Sequence, residues 1–159
     1  MNILVLCTGN SARSIMLESL LNHFGKGRVN AFSAGARPTG QVHPQALRLL
    51  ATEGHDTAGL RSKSWEAFTT ASPHSPDIVI TVCGNAAQSC PVWPGAPLSC
   101  HWGVDDPADC TDDCETAFKT AYNILKLRAN DLLAAPFETM DRPCLQTLLN
   151  QIGQRHAQP

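Results

Sequence analysis

Charge is scarce in this chain, and that scarcity narrows its function before any motif is read. Across 159 residues there are 12 Lys and Arg against 14 Asp and Glu, a formal net charge of −2. No basic excess supplies the footprint that nucleic acid requires, and no block of like charge forms an interaction tail. The opening apolar run, Ile3-Leu4-Val5-Leu6, stops at Cys7 and has no basic segment before it. It is too short for a signal peptide or a membrane span. The expectation is therefore a monomeric, cytoplasmic chain that engages neither membrane nor nucleic acid. Repeats, low-complexity tracts and a dividing linker are also missing. One domain over residues 1–159 is expected, large enough to bury a core without cross-links.

What the chain does have is cysteine: Cys7, Cys83, Cys90, Cys100, Cys110, Cys114 and Cys144. An odd number of thiols without an export signal points to catalytic, metal-binding or buried cysteines rather than structural disulfides. Cys110 and Cys114 have the spacing of half a metal site, but no second pair completes it. They read as surface or helix-start thiols, and no metal or cofactor is expected. Cys100 and Cys144 read as half-buried packing residues. His23, His55, His74 and His156 lack ligand spacing and are expected to face solvent.

The hydrophobic pattern alternates between strand and helix. Ile3 to Leu6 reads as a strand buried on both faces. Ile15, Met16, Leu17, Leu20, Leu21 and Phe24 recur at helical spacing, and Gly25 and Gly27 end that helix. Val29 to Ser33 reads as a second strand, and His43 to Glu53 as a helix with Pro44 in its first turn. Asp77 to Val82 is β-branched and follows Pro73 and Pro76, as a strand should. A short strand is expected near Leu98 to Trp102. A long helix follows from about Asp113 to Leu133, with Asp112 and Glu115 in capping-box spacing. Beyond Pro136 a last helix spans Pro143 to Ile152, inside a C-terminal extension over 136–159. The alternation predicts an α/β fold: a four-stranded parallel open sheet with helices on both faces.

Cys7 lies just after the first strand and just before the first helix, where open α/β sheets bind ligands. The loop Cys7-Thr8-Gly9-Asn10-Ser11-Ala12-Arg13-Ser14 has a small, flexible centre and runs into a helix N-terminus. Its amides can converge on a tetrahedral dianion, and Arg13 adds a planar fork matched to two oxygens. The same positive surroundings favour the thiolate of Cys7, the reactive form. Ser14 is a candidate donor to that thiolate. Asn10 suits the curved backbone because Asn tolerates left-handed angles.

These residues resemble the signature of the low-molecular-weight protein tyrosine phosphatase superfamily, which includes one of the arsenate reductase families. The resemblance extends through Ser33-Ala34-Gly35, the Asp77 to Val82 strand and Asp105-Asp106-Pro107. Asp106 stands where the superfamily carries its general acid, and Asp105 is the next candidate. The segment Thr81-Val82-Cys83-Gly84-Asn85-Ala86-Ala87-Gln88-Ser89-Cys90-Pro91 resembles the redox segment of the thioredoxin-coupled arsenate reductases. The resemblance implies attack by Cys7 on arsenate, then a Cys7–Cys83 disulfide, then a Cys83–Cys90 disulfide. Thioredoxin or glutaredoxin would reduce the last, and the 84–89 segment would have to move. Two other readings stay open: a phosphatase in which Cys83 and Cys90 protect Cys7, and a thiol-based redox sensor. Some of these reductases also hold potassium with equivalents of Asn10, Glu18, Ser33 and an acidic residue. Here Trp65 replaces that acid, a departure from the potassium-binding pattern that leaves potassium dependence open.

Overall fold

The computed structural model describes residues 1–69 and 73–156; the last three residues of the expected 136–159 extension lie outside the described residues. Four parallel strands form one sheet in the order β2-β1-β3-β4: β1 Asn2–Cys7, β2 Asn30–Gly35, β3 Ile78–Thr81 and β4 Leu98–His101. Ile3, Val5, Leu6, Ile78, Val79 and Ile80 are all 0% exposed. That matches an apolar run covered on both faces, where each such side chain contributes roughly 1.5–3 kcal/mol. The chain leaves β1 for one side of the sheet and then crosses to β3 on the other. This places the topological switch point at the C-terminal end of β1, beside Cys7.

Among the described residues five α-helices accompany the sheet: α1 Arg13–Gly25, α2 Pro44–Thr52, α3 Gly84–Ser89, α4 Cys114–Ala134 and α5 Arg142–Arg155. Helix α1 ends where Lys26 takes a left-handed φ of 44°, followed by Gly27 at 83°. Pro44 starts α2, with the His43 ring nitrogen accepting the Gln45 amide. The cap of α4 is Asp113, not the expected Asp112: its carboxylate accepts both the amide and the hydroxyl of Thr116. Helix α3 occupies the 84–89 segment, for which the sequence pattern predicts no helix. Helix α5 buries Leu145, Leu149 and Ile152 and covers β4, with Gly153 so close that an added Cβ would fall 2.4 Å from the His101 carbonyl oxygen.

Several expectations for single side chains are corrected. Cys110 and Cys114 are joined in a disulfide, because the turn into α4 brings their Cα atoms to 5.3 Å. Cys144 is exposed in the first turn of α5, whereas Cys100 is buried. His55 does not face solvent; it is buried between the Ser19 hydroxyl and the Tyr122 hydroxyl, each at 2.9 Å. No helix among the described residues is long and apolar enough to cross a membrane.

Candidate active site

The 7–14 loop curls between the end of β1 and the start of α1. Asn10 sits at φ 46°, in the left-handed region anticipated for it. The loop lies directly against the end of β2: a Cβ on Gly35 would come within 2.6 Å of the Thr8 carbonyl oxygen. Only glycine lets the two backbones approach this closely. Cys7, the whole 8–13 segment, Cys83 and Asp106 line one open cavity of about 630 Å³.

Strand register brings the two thiols together. Leu6 pairs with Thr81, and the Val82 amide continues the ladder to the Leu6 carbonyl. Cys7 and Cys83 therefore leave neighbouring parallel strands at the same sheet edge. The Cys83 sulfur lies 3.3 Å from the Thr8 hydroxyl. The hydrogen bond between the two thiols, together with burial, pushes Cys7 up, while Arg13 pulls it back. The same hydrogen bond, with help from Thr8, brings Cys83 down to about 5. The two thiols are coupled, so the pair takes on one negative charge far more readily than two.

Cys90 is at the far end of α3, half-buried, and accepts a 3.2 Å hydrogen bond from the Trp93 indole. Cys83 and Cys90 cap the two ends of this helix. Seven steps of about 1.5 Å separate their backbones by about 10 Å, beyond the roughly 7 Å that a disulfide spans. Arg13 does not stand free over the loop. It donates to the Val104 carbonyl at 3.0 Å and to the Asp106 carboxylate at 2.6 Å. The other Asp106 oxygen caps the turn Pro107–Asp109 through the Ala108 amide.

Behind the loop, Asn10 is fully buried. Its amide nitrogen donates to the hydroxyls of Ser14 and Ser33, each at 2.9 Å. Its oxygen accepts the Lys63 backbone amide, also at 2.9 Å. Ser14 therefore serves the loop from beneath, keeping its own proton to donate. Ser33 in turn donates to the buried Glu18 carboxylate. Ser62 donates to the Gly9 carbonyl at 3.2 Å. Burial pushes Glu18 up, opposed by Lys63 and Ser33, and burial pushes Lys63 down. Sequence reading missed Lys63 and Ser62, whose segment touches the loop only through the fold.

The grouping of Asn10, Glu18 and Ser33 does not fit a potassium ion. The Asn10 oxygen is taken by an N–H donor, so its nitrogen must face Ser33. The Lys63 ammonium stands 3.9 Å from Glu18. Trp65 meets Trp93 edge to face and supplies no carboxylate.

A cysteine-bearing loop at a switch point, faced by an Asp-Pro turn, sets the class to look for. The chain belongs to the family described as low molecular weight phosphotyrosine protein phosphatase, whose profile matches residues 2–143. Within it the similarity runs to arsenate reductases. The chain is 37% identical over 106 residues to the arsenate reductase of Bacillus licheniformis, covering 67% of this chain and 73% of that one. It superposes on a solved arsenate reductase in the phosphate-binding state with a TM-score of 0.71 and 28% identity, over 84% of this chain and 98% of that one. The arsenate reductase of Archaeoglobus fulgidus gives 0.68 and 27%, over 84% and 99%.

Proposed function

We propose that this chain reduces arsenate to arsenite through the thiols of Cys7, Cys83 and Cys90. The observation that carries this reading is the Cys83 sulfur set against Thr8, in the cavity that also holds Cys7. Hydrolysis itself needs no second thiol there, whereas a disulfide step does.

Arsenate binds to the 8–14 amides and competes with Asp106 for Arg13. The Cys7 proton passes to Cys83, and the Cys7 thiolate attacks arsenic. Asp106, released from Arg13, takes up a proton from solvent and delivers it to the departing oxygen, which leaves as water. Cys83 loses its proton to solvent and attacks the Cys7 sulfur. A Cys7–Cys83 bond forms, the sulfur–arsenic bond breaks, and its electron pair stays on arsenic, which leaves as arsenite. Helix α3 then unwinds, and the Cys90 thiolate attacks Cys83 and expels the Cys7 thiolate. A dithiol protein of the thioredoxin or glutaredoxin type reduces the Cys83–Cys90 disulfide. The protein works in the cytoplasm as one domain, with α5 covering the sheet edge at β4.

Steady-state arsenate reduction with thioredoxin, and separately with glutathione and glutaredoxin, tests this in wild type, C83S and C90S. Turnover in wild type, lost in both variants, is expected. Rapid hydrolysis of phosphotyrosine analogues without arsenite from any donor would overturn it in favour of the phosphatase reading.

A further inference from the structure

We propose that Lys63 is a positioning residue: its ammonium is the built-in counter-ion of Glu18 and holds the Cys7 loop ready for a dianion. The inference rests on the reading of that loop as an oxyanion site.

Lys63 closes a ring of contacts on itself. Its backbone amide donates to the Asn10 side-chain oxygen, Asn10 donates to Ser33, and Ser33 donates to Glu18. The Glu18 carboxylate then faces the Lys63 ammonium at 3.9 Å, which also donates to the Arg61 carbonyl. Asn10 and Ser33, the ring members next to the loop, are each 0% exposed. The Lys63 carbonyl accepts the Gly35 amide at 2.9 Å, which ties the segment to the end of β2.

The charge matters because of where Glu18 lies. It is 8% exposed, on the first helix and behind a loop built to receive negative charge. An uncompensated buried carboxylate there repels the incoming dianion. The Lys63 ammonium offsets that charge, and Arg61 adds a more distant positive one. The site therefore needs no cation from solution.

The test measures inorganic phosphate binding by calorimetry and arsenate KM and kcat in wild type, Lys63→Met, Lys63→Arg and Lys63→Met/Glu18→Gln. Wild-type phosphate binding checks the oxyanion reading by itself; its failure sinks that reading, whatever Lys63 does. Given binding, Lys63→Met should weaken phosphate affinity and raise KM by about tenfold. Lys63→Arg should stay close to wild type. The double variant should recover most of the loss, because removing the carboxylate removes the need for its counter-ion. A purely structural lysine would instead lower the melting temperature in the single and double variants alike, without the recovery in KM. Equal affinity in wild type and Lys63→Met overturns the proposal. If Lys63→Met does not fold, wild type decides. Phosphate affinity that does not change when potassium replaces tetramethylammonium at constant ionic strength supports the proposal, and a several-fold rise overturns it.

Discussion

Asp106 accepts a 2.6 Å hydrogen bond from Arg13 across the mouth of the Cys7 cavity. The residue expected to bind the oxyanion and the residue expected to protonate its leaving oxygen are thus coupled before substrate arrives. In the proposed mechanism, binding breaks the pair and frees both groups at once. Asp106→Asn should slow the chemical step by about 10²–10⁴-fold, the usual range for a lost general acid. Arsenate KM should not rise, because the amide competes less well than a carboxylate for Arg13. Rapid-quench single turnovers separate the two effects.

The contact between Cys7 and Cys83 predicts a shift in reactivity. The Cys83 hydrogen bond is the largest effect raising Cys7. In Cys83→Ala that contribution disappears, so Cys7 becomes a thiolate at lower pH. The rate of Cys7 alkylation by iodoacetamide, followed against pH by peptide mass spectrometry, should move toward acid relative to wild type. An unmoved profile would show that the two thiols do not share a proton.

His55 should mark the acid limb of stability. Burial, with His23 stacked on it, lowers its pKa from the ordinary value of 6.5. The unfolded chain therefore takes up the proton first as pH falls. The contribution of His55 is complete above about pH 6.5 and is lost progressively below it. His55→Gln should flatten the fall in melting temperature between about pH 6.5 and 5, as read by calorimetry.

The Cys110–Cys114 disulfide lies outside the proposed cascade. Closing so short a loop stabilises by about 2 kcal/mol at most. A C110S/C114S variant should lose up to that much in urea denaturation and keep arsenite turnover within about twofold of wild type. Loss of turnover would make the pair part of the chemistry.

What was legible in the sequence was local. The Cys7 loop reads directly because strand end, glycine, polar centre and helix start are contiguous, and β1 and β3 read from unbroken apolar runs. Helix α3 did not, since Gly84 to Ser89 is short and polar and is anchored chiefly by the buried Ala86. His55 and Lys63 escaped because their partners come from distant segments: Tyr122 is 67 positions from His55, and Asn10 is 53 from Lys63. No periodicity marks such a partner. The Arg13–Asp106 pair, 93 positions apart, was missed for the same reason.

The central claim is that Cys83 passes its bond from Cys7 to Cys90 as α3 unwinds. Its most direct test is a single turnover of the reduced protein with arsenate and no donor, quenched by alkylation and mapped by non-reducing mass spectrometry. Wild type should end with a Cys83–Cys90 disulfide and one arsenite per chain, and Cys90→Ser with a trapped Cys7–Cys83 disulfide and the same arsenite. A Cys90→Ser protein that releases arsenite with Cys7 and Cys83 both still free would contradict the account.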